Sequence, residues 1–195
     1  MNSIAVAAIA LLLVSFSHAL GDDAAPPNTP AWLPIACRMN IPTTITTFWD
    51  AFCAEVGEDC SARFFEAFHF DDNERDANAL ADLVLAGVKR ATASLVWSFE
   101  HAGRSLPKPG ALSVVTYWDG KPACVIETLE VEVLPFEQVS AEFAASEGEG
   151  DGSLAYWRRV HWAYFGRECA RVGREPSQVM PVACERFSVI HRASA

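Results

Sequence analysis

The chain is short of positive charge: 15 Lys and Arg stand against 25 Asp and Glu in 195 residues, a net charge of −10. A protein with that balance repels a polyanion, which argues against a broad basic face for long RNA or DNA. Any nucleic-acid role falls to a local site that takes a nucleoside, a nucleotide or a short RNA. Residues 1–38 bring only Asp22, Asp23 and Arg38 to this balance, so it holds without them. A long apolar run is also missing. Ile4 to Phe16 gives about thirteen residues, against the roughly 20 a spanning helix needs. That is the length of a secretory signal core, with Ser17-His18-Ala19 near the cleavage position. No Lys or Arg precedes the run, as a signal peptide would normally have. Among the cysteines at 37, 53, 60, 124, 169 and 184 there is no C-x-x-C pair, which argues against a structural zinc site. No metal and no cofactor is implied.

Asp22 to Pro34 is rich in Pro and Ala and reads as a linker, and Met39 stands directly before the domain. Two readings stay open for residues 1–38. They form a signal peptide and linker of a secreted or periplasmic protein, with no membrane contact after removal. Alternatively, translation begins at Met39 and the protein is cytoplasmic. In an exported chain Cys53 and Cys60 are open to oxidation.

What is present is a 51% apolar chain, enough for one sizeable core over residues 40–195. Thr47 to Val56 places Phe48, Trp49, Phe52 and Val56 on one side of a helix. Arg63 to Phe70 reads as a helix end and loop packed on the core. Asp71-Asp72 are placed to cap the next helix, whose Ala77, Leu80, Ala81 and Val84 follow helical spacing. Gly87 is its expected left-handed end. From Ala91 to Phe99 the period changes to alternation, predicting a strand. Pro107-Lys108-Pro109-Gly110 is a turn. Leu112 to Trp118 and Ala123 to Val133 predict a hairpin across Asp119-Gly120. Phe136 to Ala145 reads as a short helix and Ser153 caps a long one to about Val172. Val179 to His191 is the last strand. Cys124 and Cys184 fall in strands as core thiols. The expected class is α+β, a small mixed β-barrel with flanking helices.

Three segments carry residues suited to chemistry. Lys89 sits between a helix end and a strand, and Thr92 and Ser94 share one face of that strand. A cation beside two hydroxyls binds an anion or a carbonyl oxygen, or activates a hydroxyl if held neutral. A lysine after a helix end also simply complements the helix dipole. In Glu147-Gly-Glu-Gly-Asp-Gly152, three carboxylates alternate with glycines. Calcium is the obvious thought, but the twelfth position of an EF-hand-like loop starting at Glu147 is Arg158, not an acid. The segment reads either as a mobile loop that carries a carboxylate into a cleft or as a solvated acidic turn. On the long helix, Trp157 and His161 share a face, with Tyr156, Arg158 and Trp162 beside them. They are either core or a wall on which a base stacks. Glu127, inside an apolar strand, must be paired or at an edge.

Gly87-Val88-Lys89-Arg90-Ala91-Thr92-Ala93-Ser94 carries the spacing G-x-K-x-x-T. With the Pro-Lys-Pro-Gly turn, the strand from Ala123 and the segments at Glu147 and Ser153, it resembles the ASCH domain. That family belongs to the PUA-like superfamily. The likeness runs from about Thr44 to Ile190. It implies a PUA-like β-barrel with a cleft beside it and a link to RNA. Family members include RNA binders, a reported ribonuclease, and an amidohydrolase that removes the acetyl group of acetylcytidine. In the amidohydrolase the matching lysine, threonine and a loop glutamate are catalytic. The resemblance therefore implies Lys89 as base, its pKa lowered by burial, and Thr92 as nucleophile. It implies Glu149 or Glu147 as the glutamate, Glu149 being nearer the helix cap. The other expectation is a non-catalytic RNA or nucleotide binder, or a ribonuclease. There Lys89, Thr92 and Arg90 hold a phosphate and Trp157 or Trp97 stacks on a base. Ser94, Glu147, Arg158 and His161 complete the expected substrate-binding set.

Overall fold

The computed structural model describes residues 41–193. The expectations for residues 1–38 lie outside them. The elements are α1 (Thr43–Val56), β1 (Phe64–Phe68), α2 (Glu74–Leu85), β2 (Ala91–Leu95), α3 (Val96–His101), β3 (Leu112–Thr116), β4 (Pro122–Pro135), α4 (Ala141–Glu147), α5 (Leu154–Arg171) and β5 (Pro181–Arg192). The strands form one sheet in the order β1-β3-β4-β5-β2. Only β1 and β3 run parallel; the other pairs are antiparallel. The α+β class holds, but the sheet is not closed into a barrel. Its edges, β1 and β2, are five residues each and share no ladder.

Alternation along the strands divides the apolar side chains between two faces. On one, Ile45, Trp49 and Phe52 of α1 pack on Leu112, Val114 and Val125. On the other, Leu80, Ala81 and Val84 of α2 pack with Phe68 and Phe70 on Val115, Cys124, Ile126 and Phe187. A third core joins Ala91, Ala93 and Leu95 of β2 and Val182 and Cys184 of β5 to α4 and α5. Cys124 and Cys184 are thus core thiols.

Three elements differ from the sequence reading. Arg63 to Phe70 contains strand β1, not a helix end. Aromatic residues suit a pleated, half-buried edge, and Phe64 and Phe65 are only partly buried there. The strand expected to reach Phe99 stops at Leu95. Helix α3 follows because Ser98 and Phe99 are drawn inward, with Ser98 Oγ donating to Glu168 at 2.9 Å. Asp71 and Asp72 do not cap α2. Asn73 does, its side chain accepting from Asp76 N–H.

Candidate functional site

The C-terminus of α2 sets the position of Lys89. After Ala86, Gly87 turns left-handed with φ 73°, and the N–H groups of Val88 and Lys89 both donate to Leu83 O, at 3.0 and 3.1 Å. Arg90 N–H then donates to Ser146 O at 2.9 Å, which binds this turn to α4. The glycines of the acidic segment act here by close approach. A Cβ on Gly148 would meet Val88 O at 2.6 Å, and one on Gly150 would meet the Tyr156 ring at 2.3 Å. Neither acid is part of a solvated turn. Glu147 ends α4 and is 0% exposed, and Glu149 is 5% exposed.

Lys89 is buried between them. Its Nζ donates to Glu147 Oε2 at 2.7 Å and to Glu149 Oε1 at 2.6 Å. Glu147 Oε1 accepts from Trp157 Nε1 at 2.7 Å. His161 stacks on Trp157 at 4.1 Å, with Nε2 3.4 Å from Glu147 Oε1, too long for a full hydrogen bond. Lys89 Nζ also lies 5.2 Å from the Phe70 ring centre. Phe70 belongs to the α2 core and Trp157 to the α4–α5 core, so the cluster lies on the seam between them. An ammonium has three donors. Two of them are used within the cluster.

Burial would lower the pKa of Lys89, but the two carboxylates outweigh it and hold the pKa above the ordinary lysine value. The expected neutral lysine is thereby corrected, and so is the exposed lysine that merely complements a helix dipole. Burial would likewise raise Glu147, yet Lys89 and then His161 bring it down to about 2. Glu149 goes the other way. Burial raises it, Lys89 opposes, and the charge of Glu147 adds to the rise. The same lysine thus favours the charged form of Glu147 more strongly than that of Glu149.

Thr92 lies on β2 with its Cα paired to Glu185 of β5. Thr92 and Ser94 are both buried and face away from the core made by Ala91, Ala93 and Leu95, as alternation predicts. Thr92 Oγ1 has no hydrogen-bond partner, so it does not bond to Lys89, and His161 Nε2 has none either. Two expected residues are not brought in. Arg90 is exposed, and Arg158 reaches out to Glu137 O at 2.8 Å. Trp157 is buried against Phe136 and His161, not offered as a free stacking wall. Glu127 is paired with Arg63 at 2.5 Å.

Sequence reasoning missed Phe70 and Glu185. Glu185 is buried beside Thr128, whose Oγ1 donates to it at 2.7 Å, and burial lifts its pKa to about 7. Strand alternation between Ala183 and Phe187 was the signal that placed it on the Thr92 face. A separate cavity of about 510 Å³ is lined by residues including Arg63, Phe65, Leu106, Lys108 and Gly110, none of them in the Lys89 cluster.

A family model for the ASCH domain matches residues 66–191, which includes every member of this cluster. The chain belongs to the ASCH domain family. It resembles the crystal structure of an ASCH domain from Lactobacillus crispatus JV V101, with 40% identity, 78% of this chain and 98% of that one covered, and a TM-score of 0.73. It also resembles a crystal structure of a DUF984 protein from Enterococcus faecalis V583, at 28% identity, 76% and 89% coverage and a TM-score of 0.68. No curated protein matches it significantly. The ASCH domain is a PUA-like RNA-binding fold, here with an open five-stranded sheet. No helix among the described residues is long and apolar enough to cross a membrane.

Proposed function

We propose that this ASCH domain is a nucleoside-directed amide hydrolase that removes the acetyl group of acetylated cytidine. The observation that carries the reading is the buried Lys89–Glu147–Glu149 cluster, together with the partnerless buried hydroxyl of Thr92 three residues along the chain from Lys89. Its charge is already balanced by Glu147, so a phosphate gains little there and a neutral amide loses nothing. The same balance counts against a ribonuclease or phosphate holder built on Lys89.

The groups divide the work as follows. Thr92 Oγ attacks the acetyl carbonyl carbon and the C–N bond breaks, leaving an acetyl ester on Thr92 and the free amine of cytidine. Glu149 takes the Thr92 proton and gives it to the departing nitrogen. A carboxylate with a raised pKa is the better base for this. Lys89, held as an ammonium, donates to the developing oxyanion. Glu147 keeps it charged throughout. Water then cleaves the ester and releases acetate. The purified full-length protein is expected to release cytidine from acetylcytidine. Lys89→Ala and Glu149→Gln should each lower the rate by at least about 100-fold. Absence of release between pH 5 and 9 would overturn the reading.

One observation favours a second role. The cavity at Arg63, Phe65 and Lys108 offers an aromatic ring and cations to a nucleotide of a short RNA. Lys108→Ala should then weaken RNA binding, and flatten its salt dependence, without changing cytidine release.

A further inference from the structure

The sheet face that packs under α2 also carries a row of polar side chains, one from every strand. Glu66 of β1 pairs with Ser113 of β3, and Ser113 with Ile126 of β4. Thr128 follows Ile126 on the same face, and its Oγ1 donates to Glu185 Oε1 of β5 at 2.7 Å. Glu185 in turn pairs with Thr92 of β2. Ser113, Thr128, Glu185 and Thr92 are all buried, and Glu66 is paired with Arg104 at 2.9 Å. Directly opposed residues on an antiparallel ladder have Cβ atoms about 4.5–5.5 Å apart, so the Thr92 hydroxyl and the Glu185 carboxyl share one small region. They are not bonded to each other, since Thr92 Oγ1 has no partner. A buried hydroxyl without a partner is costly, and a ligand atom between these two side chains would satisfy it. The region has an open side. The β3–β4 ladder ends at Glu127, so beyond Thr128 no strand lies on that side of β4. Val131, opposite Glu185, is half-buried there, and Val133 is 49% exposed. The cavity of about 510 Å³ adjoins Thr128 as well, since two of its lining residues, Gly110 and Ala111, bond the Thr128 backbone at 2.8 and 2.9 Å.

We propose that Glu185 is the specificity-determining residue for the base of the nucleoside, its Oε2–H donating to the ring nitrogen N3 of cytosine while Thr92 faces the acetylated exocyclic nitrogen beside it. This rests on the reading of Thr92 as the nucleophile of a nucleoside-directed hydrolase. Thr128 makes the carboxyl asymmetric. Its hydroxyl donates to Oε1, which therefore acts as the carbonyl oxygen, and the proton sits on Oε2. Cytosine presents a lone pair at N3, whereas uracil presents N3–H. Two facing donors leave both groups unpaired, so uridine is rejected. Burial lifts the Glu185 pKa to about 7; the bond from Thr128 opposes this and the charge of Glu66 adds to it. Its ladder neighbours Thr92 and Val131 carry no charge, and the charge that reaches it is that of Glu66, which Arg104 pairs. Below about 7 Oε2 donates and cytosine is favoured. Above it Oε2 is an acceptor, which suits the N3–H of uracil, so the preference is lost as pH rises.

Glu185→Gln separates this from a purely structural role. The amide oxygen keeps the bond from Thr128, and the amide nitrogen is a donor at every pH. Calorimetric titration of the full-length protein with cytidine and uridine, at about pH 6 and about pH 8.5, reads the effect without requiring turnover. Wild type is expected to bind cytidine at least about tenfold more tightly than uridine at the lower pH and to lose that preference at the higher one. Glu185→Gln is expected to keep the cytidine preference at both. A ligand-side control uses wild type alone. The 3-deaza analogue of cytidine, with C–H in place of N3, should bind at the lower pH about as weakly as uridine. This pattern without release of cytidine from acetylcytidine would leave Glu185 standing and remove the hydrolase. A wild-type preference that does not change with pH, a Glu185→Gln protein that loses the preference at the higher pH as wild type does, full affinity for the deaza compound, or no cytidine binding by wild type would each overturn the inference.

Discussion

The seam around Lys89 and the middle of the sheet around Glu185 both bury a carboxylate, and burial alone pushes both toward the neutral form. At the seam a buried ammonium reverses the effect and Glu147 falls to about 2. In the sheet the partner is a hydroxyl, Thr128, and Glu185 rises to about 7. The difference is the presence of a cation inside the same low-dielectric shell. It also explains why the seam can hold a charged lysine where the family resemblance implied a neutral one.

The comparison breaks most sharply at Lys89. Lys89→Met leaves Glu147 and Glu149 buried without a cation and should cost about 3–5 kcal/mol in denaturant unfolding. Adding Glu147→Gln should recover part of that loss, since two neutral groups need no counter-ion. A loss below about 1 kcal/mol would mean that water reaches the cluster.

A second test lies in opposite pH dependences. Glu185 titrates higher in the folded state than the ordinary 4.5, so the folded protein binds the proton more tightly. Its contribution is present below 4.5 and is lost as pH rises to about 7. Glu185→Gln should therefore gain on wild type across that window, by up to about 3 kcal/mol. Glu147 is depressed, so its contribution is present above 4.5 and fades as pH falls toward about 2. The penalty of Glu147→Gln should shrink on acidification. Parallel curves for the two variants would erase the distinction.

Gly148→Ala probes the frame of the seam alone. Its φ of 67° and the approach of Val88 O at 2.6 Å predict a loss of about 1–3 kcal/mol by thermal melting, with reduced turnover. Smallest are Arg90→Ala and Arg158→Ala. Their side chains are exposed, so stability should stay within about 0.5 kcal/mol and cytidine release should not change.

Much of this was legible in the residues. The helix before Gly87, the hairpin at Asp119-Gly120, the cap at Ser153 and the shared face of Thr92 and Ser94 follow from period and turn chemistry, and the spacing of Lys89 and Thr92 pointed to the site. What was not legible depends on distant partners. Whether Lys89 is neutral or charged depends on Glu147 and Glu149, 58 and 60 residues away. Spacing alone showed glycines between acids, whose closeness to Val88 and Tyr156 exists only in the fold. Phe64 and Phe65 read as part of a helix end and loop, and the pairing with β3 that makes them an edge strand exists only in the fold. Asp71 looked like a cap because Asp commonly is one, whereas in the fold Asn73 takes that place, accepting from Asp76 N–H.

The most direct measurement is intact-protein mass spectrometry of the full-length chain quenched during turnover of acetylcytidine. The account predicts an acetyl group on the protein that maps to Thr92, is lost on further incubation, and is absent with Thr92→Ala, which also stops cytidine release. Cytidine release with Thr92 unmodified, and at full rate in Thr92→Ala, would contradict it.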